Sequence, residues 1–257
     1  MEEAIEYWRN VCRSKSLFER WLERDSRSCS STTAESIKVT QTMLSCALPY
    51  EVMFSKMLRA VPTQSERLEL ASEQDQYGRT LLHRAIRTGN DESVKTILAL
   101  FIPESERLKV ASMKNRYGWT SLHFAAFSDK PELFRLILVI YPESERLQAV
   151  SVTDHSGWNV LHCAAWSGNL EALETIMTLY PERLQVLNIA NQSGETVLHM
   201  VAHSNKVECI KLVLSLYPES QRLQALTTQN GSGTTVLEYM YEETRDSIME
   251  WLSQSES

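Results

Sequence analysis

The strongest constraint on this chain is a period. A glycine precedes a T-x-L-H-like tetrapeptide at Gly78, Gly118, Gly157, Gly194 and Gly233, at intervals of 40, 39, 37 and 39 residues. A histidine follows five residues later at His83, His123, His162 and His199, and Glu238 takes that place in the last copy. A proline recurs at Pro62, Pro103, Pro142, Pro181 and Pro218. Repeats of this length are too small to bury their own apolar face, so neighbouring copies must stack to share one core.

Within each copy, Gly89, Asp129, Gly168 and Asn205 stand eleven residues after the first four glycines. These residue types tolerate a left-handed backbone, so each copy is expected to turn sharply there. Apolar residues flank the turn at helical spacing: Leu122, Ala125 and Ala126 before it, then Leu133, Leu136, Ile137 and Ile140 after it. Each unit reads as a hairpin of two antiparallel helices.

The tetrapeptides in context are GRTLLHRAI, GWTSLHFAA, GWNVLHCAA and GETVLHMVA. They resemble the ankyrin repeat, whose mark is G-x-T-P-L-H-x-A followed by two helices. The family's proline is replaced by Leu81, Ser121, Val160 and Val197. The usual ankyrin period is about 33 residues, and this one is longer by roughly six. The excess is the block PESERLKVA, PESERLQAV, PERLQVL or PESQRLQAL, which opens on the recurring proline. A proline suits the first position of a helix, with Glu near its positive end. The block therefore predicts a short third helix, trimmed by two residues in the copy with the shortest interval. The fold class expected is all-α, an ankyrin-type helical solenoid with an extra short helix per repeat and helical caps.

Residues 1–37 read as an N-terminal helical cap or extension. In it Ala4, Trp8, Val11, Phe18 and Leu22 can share one helix face, and a Ser/Thr-rich loop follows at 26–36. Residues 38–75 form a degenerate first repeat, with Met43 at the histidine place and Pro49 at the turn. Residues 76–230 hold four repeats, at 76–115, 116–154, 155–191 and 192–230. Residues 231–257 form a capping half-repeat with one clear helix, VLEYMYEETRDSIMEWL, broken near Glu243. The segment LPYEVMFSKMLRAVP, residues 48–62, also resembles the opening helix of an F-box, which would make the chain a ubiquitin-ligase adaptor with substrate-binding repeats.

Composition narrows the function. The chain is 43% apolar with a net charge of −7, and no Lys/Arg cluster offers nucleic acid a basic face. No apolar run is long enough to span a bilayer, and the acidic start shows no secretory signal. Five scattered cysteines without a C-x-x-C pair favour a reducing compartment and no zinc site. No Gly-rich phosphate loop or H-E-x-x-H occurs. His162 and Cys163 adjoin in sequence, but helix neighbours point in different directions. The expectation is no catalytic residue, no cofactor and no metal.

What remains is recognition of a protein partner by a monomer. In ankyrin repeats the histidine bonds to backbone and to the Thr of the tetrapeptide, so the four repeat histidines are expected to be structural. Partners are held on a concave surface of loop tips and first-helix ends. Position by position, the resemblance implies Tyr77, Arg79 and Arg87; Arg116, Tyr117, Trp119 and Phe127; His155, Trp158 and Trp166; and Gln192, Glu195 and His203. The aromatic members Tyr117, Trp119, Phe127, Trp158 and Trp166 form a candidate apolar patch of interface anchors. The competing reading is that Trp119 and Trp158 pack hairpin against hairpin while Trp166 fills space between stacked helices. The acidic tail EYMYEETRDSIMEWLSQSES is similar to the C-terminal signals of ankyrin effectors that intracellular bacteria deliver by type IV secretion. That resemblance implies the host cell cytoplasm; the alternative is an ordinary cytoplasmic scaffold.

Overall fold

The computed structural model describes residues 74–89, 91–99 and 104–255, together with Leu68, Ala71 and Ser72. The expected N-terminal cap, most of the degenerate first repeat and the F-box-like segment lie outside the described residues. Two compact units divide the chain, one ending at Arg116 and one beginning at Tyr117.

In the first unit α1 (Leu81–Arg87) packs on α2 (Asp91–Ala99), and α3 (Glu104–Ala111) follows. Leu82, Ala85 and Ile86 of α1 and Val94 and Ile97 of α2 are fully buried. This is the hairpin core predicted from the apolar spacing.

The second unit repeats that plan. Its elements are α4 (Ser121–Phe127), α5 (Pro131–Leu138), α6 (Glu143–Ser151), α7 (Val160–Ser167), α8 (Leu170–Leu179), α9 (Arg183–Leu187), α10 (Val197–Ser204), α11 (Val207–Ser215), α12 (Glu219–Leu226), α13 (Val236–Tyr239) and α14 (Glu242–Ser255). The first helices form one layer, α4 on α7, α7 on α10 and α10 on α13. The second helices form another, α5 on α8, α8 on α11 and α11 on α14. Ala125, Ala126, Ala164, Ala165 and Ala202 are buried on the first helices. Their small side chains let those helices approach closely, while Phe134, Ile137, Leu173 and Ile176 fill the space behind them. Each such fully buried large side chain contributes about 1.5–3 kcal/mol of apolar transfer.

The inserted block is a third helix in every described copy: α3, α6, α9 and α12. The copy short of two residues gives a helix of five residues, against eight or nine in the others. Pro142 and Pro218 occupy the N-cap, one residue ahead of the helix position expected for them. Their carbonyls accept the N–H of Glu145 and Gln221, each at 2.8 Å. The arginine of the block turns back on the preceding tyrosine: Arg146 Nε donates to Tyr141 O at 3.2 Å, and Arg222 Nε to Tyr217 O at 3.3 Å. These bonds satisfy carbonyls just past the second helix.

One expectation needs correction. The turn after the first helix is left-handed at Gly89 (φ 67°), Gly168 (φ 64°) and Asn205 (φ 53°), but not at Asp129. There the following helix starts with Pro131, which pushes the residue before it into extended backbone, and Lys130 is extended (φ −111°, ψ 97°). Ser128 is extended as well, its hydroxyl donating to Ala125 O at 2.9 Å and accepting from Lys130 N–H at 3.3 Å. The C-terminal helix breaks at Met240 and Tyr241, ahead of Glu243. Met240 is extended, and Tyr241 N–H donates to Asn205 Oδ1 at 2.6 Å. Beyond the break Ile248 and Leu252 are buried, so α14 covers the second-helix layer. Among the described residues no helix is long and apolar enough to cross a membrane.

Candidate protein-binding face

Four of the loops are built by a residue three places before the glycine. Asp154 Oδ1 accepts the backbone N–H of Ser156 and of Trp158, both at 2.8 Å. Asn191 Oδ1 serves Ser193 and Glu195, and Asn230 Oδ1 serves Ser232 and Thr234. Asp75 does the same for Tyr77 and Arg79 in the first unit and also pairs with the Arg79 side chain at 2.7 Å. Burial works to raise the Asp75 carboxyl, but the Arg79 and Tyr77 hydrogen bonds hold it below the ordinary carboxylate value. The D/N-x-x-G spacing that marks these residues is present in the sequence. It is an Asx turn, in which a short side chain replaces a backbone acceptor.

Successive loops then bond to each other. His155 N–H donates to Tyr117 O at 2.9 Å, Gln192 N–H to Ser156 O at 3.0 Å and Gly231 N–H to Ser193 O at 2.8 Å. The contact is close enough to require glycine. A Cβ on Gly194 (φ 74°) would lie 2.5 Å from Gly231 N, and one on Gly118 (φ 87°) would lie 2.9 Å from Asp154 Cα.

The repeat histidines are fully buried and structural. Thr120 N–H donates to His123 Nδ1 at 3.2 Å, which places the ring hydrogen on Nε2. Nε2–H then donates to Trp158 O of the next repeat at 3.3 Å. His162 reaches Ile189 O at 3.1 Å and His199 reaches Thr228 O at 3.2 Å in the same way. Burial pushes the His162 and His199 imidazoles below their ordinary pKa, only partly offset by the carbonyls they meet. In the closing copy Glu238 caps the helix: Thr235 donates from N–H (2.6 Å) and from its hydroxyl (2.8 Å) to Glu238 Oε2. Those bonds hold its carboxyl below the usual range. Cys163 is fully buried, and burial pushes its thiol well above the ordinary value, which disfavours the thiolate that a nucleophile needs.

The candidate binding residues divide between the units. Tyr77, Arg79, Arg87 and Arg116 belong to the first, where Tyr77 and Arg116 are exposed and Arg79 lies 4.6 Å over the Tyr77 ring. The rest belong to the second. Tyr117 and Phe127 are 59% and 40% exposed, and Trp119, Trp158 and Trp166 are half-buried. Trp119 lies against Phe127 at 5.5 Å between ring centres and donates its indole N–H to Asp154 Oδ2 at 2.8 Å. Trp158 meets Trp166 at 5.4 Å, and exposed His203 stacks flat on Trp166 at 3.6 Å. His203 is followed by Tyr239 at 6.0 Å. Tyr239 closes this row through its hydroxyl, which donates to Glu195 Oε1 at 2.7 Å and accepts from Asn230 Nδ2 at 2.9 Å. Sequence reasoning missed Tyr239, because earlier copies carry Arg84, Phe124, Cys163 and Met200 at its place. Among the described residues no group of three or more His, Cys, Asp or Glu is placed to hold a metal ion.

Capped helical hairpins, loops bonded from copy to copy and a histidine that bridges neighbours define an all-α repeat protein. A family model described as ankyrin repeats (three copies) matches residues 40–148, so those residues carry ankyrin repeats. The hairpins beyond the match, α7–α8 and α10–α11, keep the same caps and the same histidine bonds. No curated protein matches the sequence. Ankyrin repeats mark a protein–protein interaction module, of a family that is typically non-catalytic.

Proposed function

We propose that the protein is a non-catalytic binding module whose protein partner sits on the loop tips and first-helix ends of residues 117–257. The observation that carries this reading is the presence on this face of two pairs of partly exposed rings in contact, Trp119 with Phe127 and Trp158 with Trp166. Large aromatics with one face in solvent are the side chains that dominate interface energies. The test is affinity capture of partners with the wild type and with Trp119→Ala/Trp158→Ala, circular dichroism confirming the fold. Loss of the partner, at a cost of ~2 kcal/mol or more for an anchor, supports the site. Unchanged capture by a folded variant refutes it.

Delivery as a secreted effector is a second reading, favoured by the acidic tail. Removing residues 238–257 would strip the buried Ile248 and Leu252 from the core, so truncation confounds delivery with folding. Charge reversal of the exposed Glu242, Glu243 and Glu250 leaves that packing in place. Unaltered delivery of this triple variant in a translocation assay would show that the tail charge is no signal.

A further inference from the structure

We propose that the row Trp158–Trp166–His203–Tyr239, with the carboxylates of Asp154 and Glu195 beside it, takes an arginine-bearing basic segment of the partner. This deepens the protein-binding reading of the same face and rests on it.

The two carboxylates are held by neutral donors. Asp154 takes the Trp119 indole and two backbone N–H groups, one of them from Trp158. Glu195 takes the Tyr239 hydroxyl on Oε1 and the Asn191 amide on Oε2. Among the described residues neither forms an ion pair, so their charge is oriented but not neutralised. The surroundings reinforce it. Residues 117–257 hold 17 Asp/Glu against 8 Lys/Arg, a net of −9, while residues 1–116 hold 16 against 18. An acidic partner would be repelled there. A purely apolar one would bury the carboxylates without a counter-charge, which is costly. A cation meets both needs, because indole faces attract cations and carboxylates pair with them. Guanidinium suits the site better than ammonium. It is planar, stacks on aromatic faces and presents a fork of donors to a carboxylate at the same time.

The test uses the full chain and fluorescein-labelled nona-arginine, nona-lysine and an uncharged Gly/Ser nonamer, followed by anisotropy at physiological salt. The key variant is Asp154→Asn/Glu195→Gln. Asn already makes the Asx turn at Asn191 and Asn230, so the turn itself is kept while the charge is removed; the indole bond lost at Oδ2 is controlled by Trp119→Phe, which breaks that bond and keeps the charge. Nona-arginine should bind at least about fivefold tighter than nona-lysine, and the double variant should lose about tenfold, as desolvated cation–π and charge-assisted contacts require. The indole N–H resonances of Trp158 and Trp166 should shift on titration while that of Trp251, on α14, stays still. Equal affinity for the two cationic peptides, or no loss in the double variant, means general adsorption to negative charge and overturns the proposal. If that happens while Trp119→Ala/Trp158→Ala still abolishes partner capture, only the basic-segment inference falls. If capture is also unchanged, the binding face itself is wrong.

Discussion

Trp119 Nε1–H donates to Asp154 Oδ2 across 2.8 Å, tying two loops 35 residues apart. The same Asp154 builds its own loop with Oδ1, so one carboxylate both shapes a turn and joins it to the one before. Replacing Asp154 by Ala orphans three donors, whereas Trp119→Phe removes one bond to a charged acceptor. The alanine variant should lose about 2–3 kcal/mol and the phenylalanine variant about 1.5 kcal/mol. Urea midpoints measure both, and the double variant should cost less than the sum.

Ser121 occupies the first position of α4, and its buried hydroxyl has no hydrogen-bond partner. The residue before it, Thr120, is extended at φ −93° and ψ 174°, which a following proline accepts. Proline at this position gives up an N–H that the helix start does not use. Ser121→Pro should therefore stabilise the fold by about 0.4–1 kcal/mol, with the entropic gain made in the unfolded chain. A melting temperature below that of the wild type would contradict this.

Gly194 (φ 74°) and Gly233 (φ 83°) have similar φ but different surroundings. Both have positive φ, yet a Cβ at Gly194 meets Gly231 N at 2.5 Å, while one at Gly233 meets nothing within 4 Å. Gly233→Ala should cost only the left-handed penalty of about 1–2 kcal/mol. Gly194→Ala should cost more than that and should also weaken protection of the Gly231 amide in hydrogen exchange.

Burial lowers the pKa of His162 and His199 in the folded state. Above about pH 6.5, the ordinary histidine value, both states are neutral and stability is at its plateau. Below it the unfolded chain gains protons that the folded chain refuses, so stability falls as pH drops through the unfolded value toward the folded one. Each histidine contributes a slope of at most about 1.4 kcal/mol per pH unit. His162→Gln should lower stability at pH 7.5 and flatten the decline between pH 6.5 and 5. A decline as steep as that of the wild type would refute the assignment.

The period, the helix starts and the third helix were legible in the sequence because each rests on a residue whose backbone or cap chemistry is local. Gly78, Thr80, His83 and Pro142 fall in this class. Asp129 misled because the next helix begins on a proline, and that neighbour overrides the local preference. The Asx residues at 154, 191 and 230 were in plain sight, but their role appears only when the loops lie against one another. The aromatic row could be read one ring at a time, but its continuity through Tyr239 could not. That continuity depends on how far the closing copy rotates back onto the fourth repeat, which no local pattern encodes.

Glu238 sits where His123, His162 and His199 send an N–H onward to the following copy. The two Thr235 hydrogen bonds favour its carboxylate form, which accepts and does not donate. A carbonyl placed here as Trp158 O, Ile189 O and Thr228 O are placed in the earlier copies would meet an acceptor instead of a donor. The exchange of one donor for one acceptor removes the bond by which the copies of His123, His162 and His199 hold their successors.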